Sequence, residues 1–136
     1  MKFRYIFNDT HMITQAVMTV NGHSLFMQAT HEMELPFYQY GGKDVFDVHF
    51  TIDNTMEMVS CDRHTKVLLC KCLKSMWIHL REYTKEKFGD DISFMCMAYA
   101  EDGKGSIRTT NYLRMGFVPD LESSADCVEV ILRYQD

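Results

Sequence analysis

The sequence predicts an α/β (α+β) fold in which helices pack on both faces of one mixed sheet. Three observations carry this. An amphipathic stripe runs over 65–87, the segments 45–52 and 127–134 alternate apolar and polar residues, and a nearly continuous apolar run fills 92–100. Helix period between strand periods is the pattern of a layered sheet, and the full order reads β-α-α-β-β-α-β-α-β-β.

Residues 2–7 alternate, with Phe3, Tyr5 and Phe7 on one side, as a half-buried strand does. Asn8, Asp9 and Thr10 then offer helix caps. Ile13, Ala16, Val17 and Val20 recur at helical spacing, and Asn21–Gly22 reads as the helix end. Ser24 caps a second predicted helix reaching about Met33. Pro36 and Gly41–Gly42 bound a loop that carries Phe37, Tyr38 and Tyr40, a packed loop or a lining for an acceptor pocket.

In 45–52, Phe46, Val48, Phe50 and Ile52 oppose Asp47, His49 and Thr51. Asp53–Asn54 makes a tight turn, and a second strand with Met56 and Met58 opposite Glu57 completes a hairpin. The helix over 65–87 follows. Leu69, Leu73, Met76, Leu80 and Tyr83 form its apolar stripe, Lys71, Lys74, Arg81 and Lys85 lie off it, and Gly89 ends it. The run 92–100 suits a strand covered on both faces. A short helix begins near Ser106 and closes at Gly116, and a short extended segment holds Pro119. In 127–134, Val128, Val130, Leu132 and Tyr134 oppose Glu129, Ile131 and Arg133. No repeat or linker divides the chain, so residues 1–136 are expected to form a single domain.

Composition narrows the function classes. Apolar residues make up 46% and charged residues 24%, which is globular composition. A net charge of −5 disfavours a phosphate-backbone binder, so nucleic acid is not an expected partner. Five cysteines, Cys61, Cys70, Cys72, Cys96 and Cys127, read as reduced intracellular thiols. No apolar run approaches the roughly 20 residues that span a bilayer, so no membrane partner is expected and a cytoplasmic location is. Cys61, His64, Cys70 and Cys72 do not make a zinc site: residues two apart on a helix point about 200° apart. No metal is expected.

The run Tyr112-Leu113-Arg114-Met115-Gly116-Phe117, placed after the buried strand and before two short strands, resembles the GCN5-related N-acetyltransferase (GNAT) family. The resemblance covers about residues 45–134. It implies a mostly antiparallel sheet, acetyl-coenzyme A as cosubstrate and an amine acceptor, a small molecule or a protein. It further implies that Tyr112 is the general acid that protonates the departing sulfur. The residue-level alternative is that Tyr112 anchors its helix to the sheet. By the same resemblance, Glu57 on the second hairpin strand is the candidate base, with a solvated strand carboxylate as its plain alternative.

Cofactor contacts are expected from Met58, Val59, Ser60, Arg63, His64, Thr65 and Lys66, which lead into and begin the long helix. The family's loop there reads Arg/Gln-x-x-Gly-x-Gly/Ala, whose glycines let backbone N–H groups approach a diphosphate. This chain keeps Arg63 but has Lys66 and Leu68 at the glycine positions. Arg63 to Lys66 thus read either as a side-chain phosphate site or as a loop that has lost the cofactor. Compact phage proteins associated with virion assembly share this appearance, so an inactive binding or assembly protein is the alternative, located in the host cytoplasm or the virion.

Overall fold

More of the N-terminal chain belongs to the sheet than helical periodicity suggests. The computed structural model describes residues 2–32, 39–40, 43–55, 61–99, 110–119 and 129–134. Its strands are β1 (Arg4–Asn8), β2 (Ile13–Val20), β3 (His23–His31), β4 (Gln39–Tyr40), β5 (Lys43–Ile52), β6 (Ile92–Tyr99), β7 (Phe117–Pro119) and β8 (Glu129–Tyr134). The long helix, α1, is Arg63–Phe88, and residues 110–115 are helical.

The two helices expected over 10–20 and 24–33 are instead the strands β2 and β3. Two physical facts decide it. Ile13, Thr14, Val17, Thr19 and Val20 are β-branched, which suits a pleated surface and costs rotamer freedom in a helix. Asn21 and Gly22 both have positive φ, 47° and 78°, and form the two-residue turn between the paired Val20 and His23. Asn-Gly is therefore a hairpin turn here, not a helix terminus. Along the hairpin, Thr14, Ala16, Leu25, Met27 and Ala29 are buried at strand alternation.

The sheet order is β1-β2-β3-β5-β6-β8-β7, with β4 paired to the start of β5. β5 and β6 pair in parallel, and the other pairings are antiparallel. The fold is thus α+β with a mixed, mostly antiparallel sheet. Phe46, Val48, Phe50 and Ile52 are all buried, as the alternation of β5 predicts. Asp53 and Asn54, with φ of 53° and 62°, make the expected tight turn, and Ile52 and Thr55 exchange hydrogen bonds of 3.0 and 3.1 Å across it. The second strand of that hairpin lies outside the described residues.

Helix α1 crosses the face that carries Phe50, Phe94 and Phe117. Leu69, Leu73, Met76 and Leu80 are buried there with Cys72 and Trp77, which widen the stripe. Tyr83 is half-buried and stacks on Tyr5 at 4.7 Å. The Trp77 ring lies 5.0 Å from Phe94, 5.1 Å from Phe117 and 5.2 Å from Tyr134, so one indole ties α1 to three strands. Deeper along the helix, Thr14 and Thr84, both fully buried, share a 2.6 Å hydrogen bond. Gly89, with φ of 99°, ends α1 as predicted, its N–H donating to the Lys85 carbonyl.

Among the described residues both helical segments pack on this one face, whereas helices were expected on both. The two helices expected near the N-terminus supply no cover, because they are strands. The opposite face carries a polar chain instead: Gln15 Nε2 donates to Gln28 Oε1 at 2.6 Å, and Gln28 Nε2 donates to Thr30 Oγ1 at 2.9 Å.

Candidate functional site

β5 and β6 run side by side from Asp44 to Asp47 and from Ile92 to Met95, and there their pairing ends. Beyond it β5 continues to Ile52 against β3, while β6 continues to Tyr99 against β8. The carboxyl ends of two parallel strands that part in this way are the usual place for a ligand in sheets with parallel neighbours.

Tyr112 is packed at that point. Its hydroxyl donates to the carbonyl of Val48, the first β5 residue past the shared rungs, at 3.4 Å. The ring is 1% exposed and meets Phe50 and Phe117 edge-on at 5.2 and 5.7 Å. Local sequence explains the placement. The turn of helix at 110–115 ends where the Gly116 N–H donates to the Leu113 carbonyl, and Gly116 takes a φ of 109° that opens directly into β7 at Phe117. The Tyr-x-x-x-Gly-Phe spacing thus sets the phenol one helical turn before a strand of the same core.

The start of α1 is closed by its own carboxylate. Asp62 Oδ1 accepts the Thr65 N–H at 2.8 Å, Oδ2 accepts the Thr65 hydroxyl at 3.0 Å, and the Asp62 carbonyl accepts the Lys66 N–H at 3.0 Å. The hydrogen bonds from Thr65 hold the Asp62 carboxyl below the usual carboxylate range. Of the predicted cofactor contacts, Thr65 is therefore committed to the cap, while Arg63, His64 and Lys66 are exposed around it. Glu57, Met58, Val59 and Ser60 lie outside the described residues.

A groove of about 440 Å³ runs between α1 and the helical turn that carries Tyr112. It is lined by Val67, Cys70, Lys71, Lys74 and Arg114, three of them cations. Positions 67, 70, 71 and 74 share one side of a helix. That spacing, with Arg114 inside the Tyr112–Gly116 run, was the available signal. Sequence reasoning placed Lys71 and Lys74 merely off the apolar stripe. Cys72, one position on from the groove lysine, is buried in the core, where burial pushes its thiol up.

No family model, curated protein or solved structure matches this chain. Among the described residues no cluster of side chains has the makeup of a metal site, and no helix is long and apolar enough to cross a membrane.

Proposed function

We propose that the protein is an acyltransferase of the GCN5-related N-acetyltransferase type, which moves an acetyl group from acetyl-coenzyme A to an amine. The observation that carries this reading is the Tyr112 phenol held at the point where two parallel strands part. Further support comes from the order of elements after β5: a long helix, a strand, a short helical turn and two strands. The resemblance implies that order for the part of the chain that follows its hairpin.

The residues fit coenzyme A in one place and not in another. The Asp62 carboxylate takes the Thr65 N–H at the start of α1 and sets a negative charge there, which opposes a diphosphate at that helix end. The groove beside Arg114 offers three cations at one opening, and Lys71, Lys74 and Arg114 would pair with the phosphates. Bound there, acetyl-coenzyme A supplies an activated acyl thioester. Tyr112 Oη would carry the proton for the leaving sulfur, with Phe50 and Phe117 packed against the ring that positions it.

A second reading is favoured by a specific observation. The phenol is enclosed and already engaged with Val48, and the helix start already holds an anion. Both suit a non-catalytic binding or virion-assembly protein on the same scaffold, since a fold alone does not settle activity.

Thermal denaturation with acetyl-coenzyme A separates the two. A ligand at 100 times its Kd adds about 2.7 kcal/mol to the native state, so Tm should rise, and the rise should vanish when Lys71, Lys74 and Arg114 are replaced by alanine. A flat Tm at millimolar ligand would leave the second reading standing.

A further inference from the structure

The two edges of the sheet are built differently. β7 is only three residues long and ends in Pro119, which has no N–H to offer a neighbour. Short edges and prolines are the usual protection against unwanted pairing. β1 has neither. It is five residues of extended chain, Arg4–Asn8, and among the described residues only β2 pairs with it.

The middle of β1 is apolar and open: Tyr5 is 36% exposed, Ile6 52% and Phe7 37%. These account for half of the large apolar side chains that the described surface exposes, the others being Val67, Ile78 and Leu113. The strand is nonetheless held rigidly. Tyr5 stacks on Tyr83 at 4.7 Å, Phe7 meets Phe88 at 5.4 Å, and the Lys87 ammonium sits 5.2 Å from the Phe7 ring and 5.3 Å from the Tyr83 ring. Pinned to α1 along one face, β1 presents its outer backbone edge in a fixed geometry.

Charge says what fits that edge. Lys2 and Arg4 are exposed at its beginning, and Asp9 is exposed just past its end. A copy of the strand laid antiparallel brings the cationic start of each against the anionic end of the other. A parallel copy would set like charges together. We infer that β1 is a self-complementary edge through which two copies of this chain pair antiparallel, so that one sheet runs through both.

The two-fold axis of such a pairing passes near Ile6 and stands perpendicular to the sheet. The two α1 helices then lie on the same face, and each Ile6 meets its counterpart on the other. Backbone hydrogen bonds supply the contact, and Tyr5, Ile6 and Phe7 cover one another from water, as in other strand additions. This inference stands apart from the acyltransferase reading, since the groove and Tyr112 lie elsewhere.

Light scattering on the full chain at micromolar concentration tests it. The expected mass is twice the 16.0 kDa of one chain. Ile6→Lys, on the side of β1 facing away from α1, should return the single-chain mass with the far-UV spectrum unchanged. Arg4→Glu should do the same, and adding Asp9→Lys to it should restore the doubled mass. A single-chain mass for the native protein would overturn the inference. So would a doubled mass that survives both single substitutions.

Discussion

The Tyr112 hydroxyl donates to the Val48 carbonyl at 3.4 Å, across the point where β5 and β6 separate. At that length the bond is weak, so Tyr112→Phe should cost no more than about 0.5–1.5 kcal/mol in urea denaturation. Loss of a general acid, by contrast, lowers turnover by about 10²–10⁴-fold. Acetyl transfer to a panel of amines, followed by release of free thiol, is therefore expected to collapse in a variant that folds normally. Full turnover in Tyr112→Phe would reduce the phenol to packing.

The buried threonine pair makes a second test. Thr84 donates its hydroxyl proton to the Leu80 carbonyl at 2.7 Å, so in the 2.6 Å contact Thr14 must be the donor to Thr84 Oγ1. Thr84→Val leaves the Thr14 hydroxyl enclosed with no acceptor and should cost about 1–3 kcal/mol. The double variant Thr14→Val, Thr84→Val should cost less than the two single losses added together. Chemical denaturation of the four proteins gives the coupling directly.

Gly116 tests the link between the helical turn and β7. Its φ is 109°, and a Cβ there would lie 2.9 Å from Tyr134 Cε1. That ring is wedged among Trp77, Phe94 and Phe117. Gly116→Ala combines backbone strain with overpacking and should destabilise by about 2–4 kcal/mol. A Tm within a degree of native would show that the turn can relax.

Acid should loosen the far end of β5. Asp53 Oδ2 lies 2.7 Å from His23 Nδ1, and Oδ1 accepts the Ser24 N–H at 2.8 Å. The bond with His23 is the larger cause, that with Ser24 the next, and together they hold the Asp53 carboxyl below its ordinary value. A depressed folded-state value means that the stabilisation is complete above the unfolded carboxylate range, about 3.9, and is lost as pH falls through the folded value. Asp53→Asn keeps an acceptor for Ser24 and tolerates positive φ. It should lower Tm near neutrality, and the difference from native should shrink to nothing in strong acid. A difference that stays constant with pH would mean that the charge plays no part.

Much of the chain after residue 43 was legible in the sequence because one periodicity dominates each segment. The alternation of Phe46, Val48, Phe50 and Ile52 and the stripe from Leu69 to Leu80 are both seen as buried faces. Before it, Ile13, Ala16, Val17 and Val20 satisfy a helical template by coincidence, while the β-branched residues and Asn21–Gly22 satisfy a hairpin. Turn chemistry won, because a two-residue loop with two positive φ angles is cheap for Asn and Gly and fixes the strand register. The groove was illegible for another reason. Arg114 meets Lys71 and Lys74 only after the chain has crossed β6 and returned, and no local pattern reports that meeting. The Asp62 cap, in contrast, follows the ordinary preference for Asp before a helix and was open to reading.

The parallel pairing of β5 with β6 spans only four residue pairs, whereas β2 with β3 spans eight and β3 with β5 seven. The sheet is thus two antiparallel groups, β1-β2-β3-β5 and β6-β8-β7, stitched by a short parallel seam, with α1 as the strap across it. The β2–β3 and β3–β5 ladders are the longest in the sheet, and the seam is shorter than either. Thermal breathing should accordingly open the seam before it opens those two ladders. Backbone amides of Val45 to Asp47 would then exchange with deuterated water ahead of those in the middle of β2 and β3, and the strands beneath Tyr112 would part by the same hinge.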